Sequence, residues 1–299
     1  MNKLDTQYKN ILQNIIDDGE WEDNRTGIRA KTIPSTMITH NMADGFPLLT
    51  IKRVPFRVMA VELEGFIKGI TSKKWFQDRN CHIWDEWCNP KKVPYGHDEE
   101  TKRKMLEEDD LGLIYGSQWR DFHVPNAVEN YGAEGGFYRS RGIDQLKNII
   151  NTLQKNPQDR RMICSAWNPL ALPFQALPPC HSLFQVSVIN NKLNLAWFQR
   201  SCDILLGIPL NIASYGLLLH LFAKFYGFEE GTLTGFLNNV HIYENQLDGL
   251  NEIMTRSPDF DLPTVTTDIR YGNMLTWEYS DTIVENYNCL STVKMPVAI

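Results

Sequence analysis

Apolar residues recur at helical spacing from the first turn of the chain. Leu4, Tyr8, Ile11, Leu12, Ile15 and Ile16 share one face, and Asp17-Asp18-Gly19 supplies the stop. A polar loop, Glu22 to Gly27, leads into strand-like material over roughly Lys31 to His40, closed by Asp44-Gly45-Phe46-Pro47. The pattern then predicts a helix near Phe56 to Lys68, weakened by Gly65, and an amphipathic helix carrying Ile143, Leu146, Ile149, Ile150 and Leu153. Met162–Trp167, Ser182–Ile189 and Lys192–Phe198 read as strands. The last two flank Asn190-Asn191, a two-residue turn whose residues tolerate positive φ.

Leu205 to Phe228 is the most apolar run. Asn211, Ser214, His220 and Lys224 interrupt it, so it reads as a buried core helix and not a membrane span, with Asn211 a candidate N-cap. A further helix is expected near Ile242 to Met254. Strands and helices out of strict alternation suggest one α+β domain over residues 1–299. Residues 89–110, charged and polar, and 124–141, rich in Gly, Asn and Tyr, read as surface insertions, because neither flanking piece has a complete core of its own.

Charge narrows the partners. The chain carries 30 Lys+Arg against 36 Asp+Glu, a net charge of −6, which argues against a general nucleic-acid or anionic-membrane binder. An anionic ligand must then be met by a local arginine cluster. The six cysteines, at 81, 88, 164, 180, 202 and 289, show no zinc-like spacing, and no metal is expected. They read as reduced thiols in a cytoplasmic protein.

Cys180-His181 follows Pro178-Pro179 in a turn that enters a strand. Cysteine is the most nucleophilic common side chain, although a lone Cys beside a His is more often structural. Asp159-Arg160-Arg161 and Gln199-Arg200-Ser201 bracket it, and Asn24-Arg25-Thr26 lies on the early loop. Arginine forks suit phosphate oxygens, while surface charge is their usual fate. The Asn211 amide holds both a donor and an acceptor, which a uracil edge requires. His241-Ile242-Tyr243 sets two polar side chains on alternate positions. Trp84 and Trp87 suit a planar ligand or an ordinary core.

Together the motifs resemble the thymidylate synthase family. They are Arg25-Thr26-Gly27, Asp44-Gly45-Phe46-Pro47, Ile83-Trp84-Asp85-Glu86-Trp87, Tyr115-Gly116-Ser117-Gln118-Trp119, Gln158-Asp159-Arg160-Arg161, Ala176-Leu177-Pro178-Pro179-Cys180-His181 and Gln199-Arg200-Ser201-Cys202-Asp203. The stretch Leu206 to Tyr215, His241-Ile242-Tyr243 and the terminal Pro296-Val297-Ala298-Ile299 continue them in family order. The resemblance implies a homodimeric α+β fold, a large mixed sheet covered by helices with a sheet face used for dimerisation. It implies methylation of dUMP to dTMP with 5,10-methylenetetrahydrofolate as carbon and hydride donor. Cys180 would add to C6 of the pyrimidine. Glu62 would organise proton transfers around O4, Tyr115 would remove the C5 proton, and Asn211 would read the base edge. Arg25, Arg200 and Ser201 would grip the 5′-phosphate, with Arg160 and Arg161 reaching in from the other subunit. His241 and Tyr243 would hold the deoxyribose hydroxyl. Asp203 would bind the pterin, and Ile83, Trp84, Trp87, Leu177, Gly207, Leu210 and Ala298 would line the folate pocket. The tail would fold over the ligands.

The chain departs from the family pattern at Ile28-Arg29-Ala30-Lys31, Leu63-Glu64-Gly65-Phe66, Leu111-Gly112-Leu113, Leu237-Asn238-Asn239-Val240 and Leu210. Glu64 and Gly65 replace an apolar pair beside Glu62. That opens a dUMP 5-hydroxymethylase, in which water replaces hydride and tetrahydrofolate leaves. Asn211 disfavours a cytosine substrate, for which the family pattern has Asp. A silent nucleotide-binding homologue has no use for Cys180, Glu62, Tyr115 and Asn211 together, and a cysteine hydrolase has none for three arginine sites.

Overall fold

A computed structural model describes residues 1–123, 142–269 and 272–297, so the expected insertion at 124–141 lies outside the described residues. Helix α1 (Lys3–Asp18) leads to strands β1 (Glu20–Glu22) and β2 (Ala30–Asn41). Helices α2 (Phe56–Lys68), α3 (Lys73–Gln77), α4 (Glu99–Glu107), α5 (Tyr115–Arg120) and α6 (Gln145–Lys155) follow. Next come β3 (Ile163–Ser165), β4 (His181–Ile189), β5 (Lys192–Gln199) and β6 (Cys202–Asp203). Helix α7 (Gly207–Tyr226), strand β7 (Glu229–Tyr243), helix α8 (Leu247–Thr255) and the paired strands β8 (Thr264–Thr267) and β9 (Thr282–Glu285) complete the order.

The seven-stranded mixed sheet runs β1-β2-β7-β5-β4-β3, with β6 also paired to β7. β7 is its spine. It runs antiparallel to β2 from Asn41↔Thr232 to Ala30↔Tyr243, and parallel to β5 and β6. The architecture is α+β, as the mixed pattern of elements implies.

Contacts group the chain into two compact units, residues 1–60 with 184–299, and residues 61–183. In the first unit α1 buries Leu4, Tyr8, Ile11, Leu12 and Ile15. Helix α7 is long and apolar enough to cross a membrane by length and composition, but most of its surface is packed inside the protein. Two of its polar interruptions pair with neighbouring strands. His220 is bonded through Nδ1 to Glu230 and through Nε2 to Thr267, each at 2.9 Å, and Lys224 lies 3.7 Å from Glu230.

Three expectations change here. The helix expected from Ile242 starts at Leu247, because Ile242 faces Lys31 in the β2–β7 ladder and the chain must first turn at 244–246. Asn211 is not an N-cap: α7 begins at Gly207, and Asp203 Oδ1 accepts the Leu205 and Leu206 N–H groups at 3.1 and 3.0 Å instead. Most of β7 escaped the sequence reading. Its glycines weaken a strand pattern, yet Gly235 is required: a Cβ there would lie 2.4 Å from the Trp197 ring.

The second unit gathers an aromatic cluster. Gly116 lets α5 approach the α2 backbone, since a Cβ would lie 2.8 Å from Phe66 Cα. That approach stacks Tyr115 on Phe66, with ring centroids 5.0 Å apart, and sets Trp119 edge-on to Phe66 at 5.6 Å. Residues 89–110 contain α4, none of whose residues is buried, and Asn89 bonds Asp110 across their ends.

Candidate active site

In the second unit Cys180 stands immediately before β4, half-buried. Its N–H donates to the Tyr115 hydroxyl at 2.7 Å, which holds that hydroxyl beside the cysteine. Tyr115 stacks on His181 at 4.2 Å. Burial pushes the His181 pKa down to about 3, so this imidazole is neutral and a poor base. Successive residues entering a strand also point to opposite faces. Cys180 and His181 therefore do not form the thiolate–imidazolium pair of a cysteine hydrolase.

Glu62 lies on α2 and accepts the Trp84 indole N–H at 3.0 Å. It retains some solvent contact, yet protein surrounds it densely enough that desolvation raises its pKa to about 7, against the pull of the indole bond. Such a carboxyl is poised to give or take a proton near neutrality. Trp84 is buried and edge-on to both Phe66 and Tyr115. Trp87 and Leu177 are half-buried, and Ile83 is exposed.

The departures beside Glu62 have local partners. Glu64 is buried and bonded to Lys68 at 2.7 Å. The space a side chain would take at Gly65 is filled by the Phe76 ring, 2.3 Å from an added Cβ.

Arg160 and Arg161 stand exposed on the turn before β3. Arg161 forks onto Asp159 at 2.6 and 2.9 Å, and these bonds hold the Asp159 pKa down at about 2.

In the first unit, Arg200 and Ser201 follow the end of β5, both half-buried. The bonds beside them fix the sense of Asn211. Trp197 Nε1, which can only donate, reaches Gln199 Oε1 at 3.2 Å. Gln199 must therefore turn Nε2 toward Ser201 O at 3.1 Å and Asn211 Oδ1 at 3.0 Å. Asn211 keeps one Oδ1 lone pair and its NH2 for a ligand, the pair of functions that an N3–H and a carbonyl O4 require.

The short ladder of β6 against β7 sets Asp203 opposite His241. Asn239, at φ 45°, turns its carbonyl to accept from His241 Nδ1 at 2.8 Å, which fixes the ring's orientation. Tyr243 is edge-on to His241 at 5.0 Å. Arg25 rides an exposed loop shaped by Asn24, whose Oδ1 accepts the Thr26 N–H at 3.0 Å. Gly207 and Leu210 are half-buried at the start of α7, and Ala298 lies outside the described residues.

Two residues of this unit were missed in the sequence. Gln246 takes the Tyr243 N–H on Oε1 and donates Nε2 to Asp203 Oδ2 at 3.0 Å and to Pro296 O at 3.2 Å, tying the tail to Asp203. Lys52 is buried, bonded to Leu205 O, and lowered to about 8 by desolvation. A lysine within the mostly apolar run Leu48 to Val54 was its only signal; Gln246 had none.

The family model for thymidylate synthase matches residues 6–299 of the chain. The chain belongs to the thymidylate synthase family. As a member it is a transferase of nucleotide biosynthesis that moves a one-carbon unit to dUMP, with methylenetetrahydrofolate as donor. Each unit holds groups of a kind that suits a folate. In the first, Asp203 has a carboxylate that pterin N–H groups could meet, and a Cβ at Gly207 would meet nothing nearer than Asn211 Oδ1 at 3.7 Å; in the second, Trp84 and Trp87 have aromatic faces. Among the described residues no three His, Cys, Asp or Glu side chains converge as metal ligands.

Proposed function

We propose that this thymidylate synthase family member methylates dUMP to dTMP. The folate supplies the one-carbon unit and the hydride. C5 of a uracil is a weak nucleophile, and addition of the Cys180 thiolate to C6 turns the ring into an enolate whose C5 can attack. The Asn211 NH2 donates to O4 as charge develops there, and its remaining lone pair accepts from N3–H. Glu62, near half-protonation at neutral pH, relays protons around O4. The Tyr115 hydroxyl, held by the Cys180 N–H, takes the C5 proton. Arg25, Arg200 and Ser201 bind the 5′-phosphate, while His241 Nε2 and the Tyr243 hydroxyl receive the sugar hydroxyl.

The observation that carries the methyl outcome is the Glu62–Trp84 bond set against Phe66, Tyr115 and Trp119. It backs the carboxyl with aromatic surface, and Phe76 fills the gap at Gly65 where water would otherwise collect. Mass spectrometry of the nucleotide formed from dUMP and methylenetetrahydrofolate tests it. A methylated product with dihydrofolate is expected. A hydroxymethylated product with tetrahydrofolate released would replace this reading with the hydroxymethylase.

The working unit in this reading is a homodimer. Met37, Phe236 and Phe198 lie side by side across β2, β7 and β5 on one face, 55, 47 and 39% exposed. Such a row is suited to a second copy of the same sheet. Arg160 and Arg161, on an exposed turn next to exposed Ile163, complete the phosphate site of that second copy.

A further inference from the structure

Residues 89–110 have no part in the reaction above, yet they are bonded into the second unit at several points. The Asn89 N–H donates to Asp110 O at 2.7 Å and its side-chain amide to Asp110 Oδ2 at 3.0 Å, so one residue pair closes the base of the segment. Lys92 adds an ion pair to Asp110 at 3.0 Å. Within the segment, Tyr95 reaches two backbone carbonyls with its hydroxyl, Cys88 O at 2.9 Å and Ala176 O. Its ring lies edge-on to Trp87, with centroids 5.9 Å apart. Cys88 directly follows Trp87, and Ala176 directly precedes Leu177. On the other side, the buried Lys73 ammonium donates to Asp85 O at 3.1 Å and Met105 O at 2.7 Å, pinning the turn between Trp84 and Trp87 to α4.

We propose that Tyr95 is a positioning residue for the folate co-substrate, holding the loop of Trp87 and the loop of Leu177 at a set separation. The inference rests on the folate site proposed at those two residues. Neither residue belongs to a helix or a strand, so the sheet does not fix the gap between them. Contact with a flat ligand weakens steeply when such a gap widens by a fraction of an ångström. A phenol has a single proton, so its bond is shared between the two carbonyls and joins both loops at one point.

The test is Tyr95→Phe, which keeps the ring against Trp87 and removes the hydroxyl. Tyr95 is 44% exposed, so the variant is expected to fold. Its KM for methylenetetrahydrofolate should rise about fivefold to tenfold, the worth of one shared hydrogen bond, with kcat and the KM for dUMP changed less than about twofold. A purely structural role would lower the melting temperature or the active fraction and leave both KM values alone. Tyr95→Trp, which keeps a ring and a donor but displaces the donor, should show the same folate-selective rise. Wild-type KM values in either folded variant, or an equal rise for both substrates, overturn the proposal. Binding of tetrahydrofolate in the presence of dUMP, read by tryptophan quenching, separates the two levels of failure. A wild-type protein that binds no tetrahydrofolate defeats the folate site itself; equal binding by wild type and Tyr95→Phe defeats only the role of Tyr95.

Discussion

At the scale of single residues, Glu62 couples stability to pH. Its carboxyl titrates near 7 in the fold and near 4.5 when free, so between those values the native state holds a proton that the unfolded chain releases. The contribution is complete below about pH 4.5 and is lost as pH rises through 7. Against Glu62→Gln, which cannot titrate, the wild type should lose up to about 3 kcal/mol between pH 5 and 8. Urea unfolding at the two pH values measures this, and a stability difference that does not change with pH would mean an ordinary carboxyl. The same variant should lower kcat by about 10²–10⁴-fold if Glu62 relays protons. At Asn211 the prediction concerns selectivity. Asn211→Asp removes the donor proposed to face O4 while Gln199 can still bond the remaining oxygen. Its kcat/KM for dUMP should fall by about 10²-fold or more, with dCMP gaining relative to it. Competition between the two nucleotides reads the ratio; an unchanged preference would remove Asn211 from base reading.

At the scale of elements, β7 links sheet packing to the proposed base site. Gly235→Ala would push the Trp197 ring, which fixes Gln199 and through it Asn211. The expected result is a loss of about 1–3 kcal/mol, visible as a lower melting temperature, together with a raised KM for dUMP. A stable variant with unchanged KM would uncouple the sheet from the amide relay. The sequence pattern revealed elements of two kinds, those with a strong apolar stripe and those with a stated turn. Helix α2 falls at Phe56–Lys68 as read, and Asn190 and Asn191 take φ of 49° and 63° in their hairpin. β7 was hidden because its glycines are dictated by a neighbouring strand's tryptophan, which no local window contains. The site divides in the same way. Motif residues such as Cys180, Arg200 and His241 were legible, whereas Gln246 and Lys52 work through partners far away in the chain. The protonation of Glu62 and the neutrality of His181 follow from burial, which only the folded surroundings create.

At the scale of the molecule, the proposed sharing of the phosphate site has a direct test. A mixed dimer with Cys180→Ala in one subunit and Arg160→Ala in the other should keep one working site, since one active site then carries both lesions. Purified tagged hybrids assayed for turnover decide it, and a fully inactive hybrid whose parents both dimerise would end the claim of sharing. The row of Met37, Phe236 and Phe198 also bears on how such a protein behaves in a dilute tube. If the proposed homodimer covers that row, association is linked to folding by mass action, and the melting temperature should become a function of protein concentration. Each newly made subunit meets a race between pairing, second order in subunits, and sticking to any other bare apolar surface. Dilution slows the first process and spares the second, so in the proposed dimer a stock diluted before assay should age faster than the same stock kept concentrated.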